Sequence, residues 1–268
     1  MKKAIILLLS FVMLLSSVGM VSASDYSETL AAVGILPEFS GTADTPVTRE
    51  EFAFMTAKLV AGEKAPTDTI FADVDSTNPY SGYISYLQSV NVVSGDENGF
   101  FNPKGNVTFP MASKMLLSAL GYDEFAQIAG GYPYGYTEIL SMLGIDKGLQ
   151  LNADGVLTQD SAEKLIHNTL TMELNGVEYI AVGEEMHVNL SNSKNGSILA
   201  KKFGISVYDG VVSDVNDKQT NVTVKITKNK YGSNPTLLEN GTVKSFSFNT
   251  KQKADEYLYV PCVISFYS

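Results

Sequence analysis

The chain has 268 residues, 44% of them hydrophobic and 18% charged. That length gives one or two domains with buried cores, and the apolar content excludes a disordered chain. A formal net charge of -10 and a single cysteine, Cys262, leave no basic face for a nucleic acid, no internal disulfide and no paired-thiol zinc site.

Residues 1–23 read as a secretory signal. Lys2 and Lys3 precede an apolar run that closes on Val21-Ser22-Ala23, with cleavage expected after Ala23. The run is short for a membrane span, and no later segment reaches spanning length, so no span is expected after cleavage.

Three related units follow. The pairs Gly34-Ile35, Asn91-Val92 and Gly144-Ile145 align. Leu30, Leu87 and Leu140 stand four positions before these anchors, and Tyr26, Tyr83 and Tyr136 eight before. Downstream come Thr48, Thr108 and Thr158, each followed at +7 by Met55, Met115 or Leu165 and at +12 by Val60, Leu120 or Leu170. Such offsets place apolar residues on one helical face, so each unit predicts helix, loop, helix. The copies are assigned to 24–65, 66–124 and 125–174. The acidic, Gly- and Asn-rich loops between the helices lack EF-hand spacing and read as turns.

Thr48 with Glu51 forms a capping box, and Thr108 and Thr158 are expected to cap their helices in the same way. Pro110 suits a first helical turn. From about residue 175 the period changes to two. Val222, Val224 and Ile226, then Val243, Phe246 and Phe248, then Leu258 to Phe266 predict antiparallel strands. Ser193 to Phe203 is expected to be one helix closed by Gly204. The fold class is therefore α+β: an all-α region of three repeats, then a mostly β domain over 175–268, with Cys262 expected in its core.

The stretch Thr48-Arg49-Glu50-Glu51-Phe52, with Phe71-Ala72-Asp73-Val74, the Gly-Ile pairs and the loop Gly99-Phe100-Phe101-Asn102-Pro103, resembles the S-layer homology domain. The second copy, Phe71 to Tyr122, follows the family outline most fully. The resemblance implies a pseudo-threefold bundle whose grooves bind a pyruvylated secondary cell-wall polysaccharide. Carried over, it implies polymer contacts at Arg49, Glu51, Asp73, Tyr80 and Gly95, with Thr48, Thr108 and Thr158 as structural caps. Phe109 and Gln159 stand where the other two copies would carry arginine, and neither can make a charge-assisted bond to a carboxylate.

Arg49 is the chain's only arginine. A planar fork of donors suits an anionic ligand, but a solvated surface residue or an ion pair with Glu50 or Glu51 fits the sequence as well. No serine–histidine–acid arrangement has spacing support, no pair among the plentiful carboxylates stands out as a glycosidase couple, and no phosphate-cradling glycine loop is read. The expectation is a non-catalytic protein without cofactor or metal, secreted to the surface of a Gram-positive bacterium. Its expected partners are wall polysaccharide and, through the β domain, other envelope proteins. Two alternatives stand beside this reading: an S-layer or envelope assembly subunit whose repeats no longer bind polymer, and a surface enzyme whose catalytic part is the β domain.

Overall fold

The computed structural model describes residues 24–151, 155–173, 175–182, 185–194, 197–215, 221–231, 243–247 and 261–267. The signal segment 1–23 lies outside them, as do Phe248, Leu258, Val260 and the side chain of Cys262. The fold is α+β. In chain order it contains α1 (Ser24–Ala32), α2 (Arg49–Val60), α3 (Ser81–Ser89), α4 (Phe109–Ala119), α5 (Asp123–Ile128), α6 (Tyr134–Met142), α7 (Gln159–Thr171), β1 (Asn175–Val182), β2 (Glu185–Lys194), α8 (Ile198–Phe203), β3 (Ile205–Val215), β4 (Asn221–Tyr231), β5 (Val243–Ser247) and β6 (Pro261–Tyr267). Among the described residues no helix is long and apolar enough to cross a membrane.

The chain divides into two compact units. One comprises Val21–Leu170 with Asn175–Lys194; the other contains Thr171–Leu174 and Asn195–Ser268. The hairpin β1–β2 is therefore grouped with the helices. It pairs antiparallel, with Ile180 opposite His187. In the second unit the antiparallel sheet has the order β5-β4-β3-β6. Val224 and Ile226 are fully buried while Lys225 and Thr227 are exposed, so β4 covers one face only. The helix expected over 193–203 is shorter: β2 runs on to Lys194, and α8 begins only after Ser197, whose hydroxyl accepts from Ala200 N. Gly204 closes α8 at φ 64°, as the sequence indicated.

In the helical unit the three anchors share one backbone device. Gly34, Asn91 and Gly144 all take left-handed φ, at 69°, 60° and 75°. This turns the chain so that Ile35, Val92 and Ile145 donate their N–H groups back to Leu30, Leu87 and Leu140 at 2.9, 2.8 and 3.1 Å. These are C-terminal helix closures that satisfy otherwise orphaned carbonyls and bury the following apolar residue. Asparagine tolerates the left-handed region better than other non-glycine residues, which lets Asn91 stand in for glycine.

The residues preceding the three threonines meet in a closed ring. Val47 N donates to Leu157 O, Leu157 N to Val107 O and Val107 N to Val47 O, each at 2.9 Å. All three are fully buried. A second set lies beside it: Arg49 N to Gly105 O at 2.8 Å, Phe109 N to Gly155 O at 2.7 Å and Gln159 N to Thr45 O at 2.9 Å. These bonds use donors in the first turn of each second helix, which have no partner within the helix.

The tyrosines eight positions before the anchors also find partners across the unit. Tyr83 donates to Glu63 at 2.8 Å, Tyr136 to Asp123 and Tyr26 to Asp160. Burial, with the bond to Asp123, pushes the Tyr136 phenol up to about 12. His167 is buried, its ring 6.1 Å from that of Tyr26. The short helix α5, not evident from periodicity, carries Asp123 and Gln127 to the Tyr136 hydroxyl.

Where α1 meets α7, Ser27 donates to Glu163. Burial raises the Glu163 pKa above its ordinary 4.5; Ser27 opposes the shift and the Asp160 charge adds to it. A carboxylate with a raised folded-state pKa favours folding at low pH, and that contribution fades as pH rises through the folded value. Glu163→Gln should therefore melt above wild type at pH 7, with the gap closing as pH falls toward 4.5. Parallel melts across that range check it; a variant less stable at pH 7 contradicts it.

Candidate functional site

Arg49 opens α2. Thr48 is the N-cap, extended at φ -78° and ψ 160°, and its hydroxyl accepts from Glu51 N. Glu51 Oε2 in turn accepts from Thr48 N at 2.8 Å and from the Thr48 hydroxyl at 2.7 Å. The box occupies the Glu51 carboxylate. Glu50 is only 2% exposed, and its carboxylate accepts from Lys104 and, at 2.7 Å, from Asn78. Neither acid pairs with Arg49, which removes the ion-pair alternative.

The caps of the three second helices differ. Thr158 Oγ1 accepts from Ser161 N at 3.3 Å. Thr108 makes no side-chain cap bond, contrary to expectation. Its N3 residue is Met111, which cannot return the bond; Pro110 and the Phe109–Gly155 bond secure the start of α4 instead. Thr48→Ala should thus lose about 1 kcal/mol of stability, while Thr108→Ala loses clearly less. Denaturant titration of both variants tests this; equal losses would contradict it.

The Arg49 side chain lies half-buried at a cavity of about 310 Å³. Its Nη2 donates to Ser94 O at 3.1 Å, and its guanidinium carbon sits 4.7 Å from the Phe101 ring centroid. Nε is buried and meets no acceptor among the described residues. Burial lowers the Arg49 pKa, opposed by Tyr132 and Asp73. Arginine nonetheless stays protonated at neutral pH.

The cavity wall comes from separate parts of the chain. The loop Val92–Asp96 and the segment Phe100–Asn102 form one part, Lys114 of α4 another and Tyr132 a third. Asp73 shapes the loop without lining the cavity: its two oxygens accept from Phe101 N at 2.8 Å and Asn102 N at 2.7 Å. Asn102 can then turn at φ 58°. Gly95 lines the cavity, where a Cβ would lie 3.1 Å from the Phe71 ring and 3.2 Å from Phe100 O. A side chain there would require these neighbours to give by a few tenths of an ångström.

Of the five residues expected to contact polymer, Arg49 and Gly95 line the cavity. Asp73 braces its loop, Glu51 serves the cap, and Tyr80 stands elsewhere, packed 5.4 Å from the Phe54 ring. Lys114 and Tyr132 were not foreseen. They stand outside the motifs, and nothing in local spacing marks them. Gln159, in the third copy, is buried.

Residues 70–109 match the model of the S-layer homology domain. The chain is 28% identical over 187 residues to a surface layer protein of Brevibacillus choshinensis, a match covering 67% of this chain and 16% of that protein. It is 25% identical over 170 residues to a middle cell wall protein of Brevibacillus brevis, covering 62% of this chain and 15% of the relative. It is 24% identical over 192 residues to a cell surface protein of Thermoanaerobacter kivui, covering 65% and 24%. The matched region thus spans less than a quarter of each relative's length.

Proposed function

We propose that this chain, which carries an S-layer homology domain over residues 70–109, is a bacterial cell-surface protein held non-covalently to the wall by an anionic, pyruvylated polysaccharide. The relatives named as surface layer, cell wall and cell surface proteins support the location. The closed ring at Val47, Val107 and Leu157 supports reading the helices as three copies in pseudo-threefold array.

One observation carries the binding reading. The only arginine in a chain of formal net charge -10 stands at a cavity without a carboxylate partner among the described residues, its Nε buried and unsatisfied there. A buried donor left unpaired costs about 1–3 kcal/mol, a cost that a ligand acceptor would remove. A guanidinium fork matches a carboxylate bidentately, and the ketal of a pyruvylated sugar presents one. The loop glycine and the aromatic rings of Phe100, Phe101 and Tyr132 give the walls a saccharide-compatible character. The role is binding rather than catalysis. Phe109 and Gln159 leave the other two copies without that arginine.

Sedimentation of the secreted protein with purified Gram-positive wall, before and after extraction of the secondary polymer, tests the reading. Binding lost on extraction supports it. Binding that survives supports the assembly-subunit alternative instead.

A further inference from the structure

We infer that the outward side of α6 docks on the sheet around Lys225 in a second copy of this chain, so that copies join head to tail. The contact uses neither Arg49 nor any other residue of its cavity.

On α6, Gly135, Tyr136, Ile139 and Leu140 are buried. The opposite side carries Tyr134, Glu138 and Met142, which follow one another at four-residue steps and so stand in one row. Tyr134 is 78% exposed, Met142 is 54% exposed, and Glu138 is exposed between them. Ile128, the last residue of the adjoining α5, is 65% exposed. Large apolar side chains left in water as a group mark a contact surface. Among the described residues no cation pairs with Glu138. The row therefore reads apolar, anionic, apolar over about 12 Å.

The complement lies in the same chain. Residues 24–170 contain 19 Asp+Glu against 7 Lys+Arg, whereas residues 195–268 contain 9 lysines against 6 acids. Past the signal segment, net positive charge is confined to that last part. There Lys225 of β4 is exposed, while Val224 and Ile226 beside it are buried. Val211 of β3 and Val243 of β5 stand directly opposite Lys225 in the two strand registers. The register thus runs valine, lysine, valine across three strands, about 10 Å. It is close to the α6 row in length and opposite to it in central charge. Among the described residues no carboxylate pairs with Lys225. A contact of α6 with α6 would instead set Glu138 against Glu138, which like charge disfavours. A head-to-tail pair still offers one free α6 row and one free Lys225 row, so addition continues past the dimer.

Sedimentation velocity of the secreted chain, over a concentration series reaching about 1 mM, tests the contact. Wild type should gain apparent mass with concentration at low salt and return to monomer at about 0.5 M salt. Glu138→Lys and Lys225→Glu should each move the association to roughly tenfold higher concentration, with melts near the wild-type temperature. Mixed in equal amounts, the two variants should associate as wild type does, because each offers the charge that the other's altered row needs. Two misfolded variants could not rescue one another in this way. Wild type that stays monomeric to about 1 mM at low salt overturns the contact, as does association that neither reversal weakens. Weakening by Glu138→Lys alone, or weakening by both without rescue in the mixture, overturns the pairing of α6 with the Lys225 row.

Discussion

Arg49→Ala should reduce wall binding roughly ten- to a hundredfold, because a charge-assisted contact to an anion is worth about 1.5–3 kcal/mol. Folding should be nearly unaffected. The orphan donors of α2 are served by Thr48, Glu51 and backbone bonds to Gly105 and Pro103, none of which uses the arginine side chain. The truncation does remove the bond to Ser94 O and the stacking on Phe101. It also removes a cation from the positive end of a helix dipole, which partly offsets that loss. Arg49→Lys should retain an intermediate affinity, since charge remains and the fork is gone. Quantitative sedimentation with purified wall, paired with thermal melts, checks the series. Wild-type binding by Arg49→Ala would mean that the cavity does not hold the wall.

Val107→Pro should be the most damaging single change in the helical unit. Proline removes the N–H that donates to Val47 O, and it does so where all three ring residues are fully buried. The Val47 carbonyl is left without that donor in an apolar setting. Together with the altered apolar packing, the cost should be about 3 kcal/mol. For a chain of this size that lowers the melting temperature by about 6–12 °C. Val107→Ala keeps the bond and loses only methyl groups, so it should melt clearly higher than Val107→Pro. Equal melting of the two would show that the ring bonds do not hold the copies together.

What could be read from the sequence was whatever chemistry repeats at fixed offset. The glycine and asparagine anchors, the leucines four positions before them and the Thr48–Glu51 box each encode a local backbone conformation, and local conformation follows local residues. The strand alternation at Val224 and Ile226 was legible for the same reason. The Glu50–Lys104 pair joins residues 54 apart, and Lys114 and Tyr132 converge on Arg49 from two other segments. Such meetings are set by packing between copies, which no single-segment pattern contains. Thr108 shows the converse: a capping residue in the right place makes no cap when its N3 partner is methionine and a proline already fixes the turn.

We propose that an acidic ketal holds this protein to the wall. The most direct measurement is titration of the secreted protein with purified secondary polymer, before and after selective acid removal of its pyruvate ketals. Binding to the intact polymer should be saturable, weakened by salt and lost with the ketals. Equal affinity for the intact and the ketal-free polymer would contradict it.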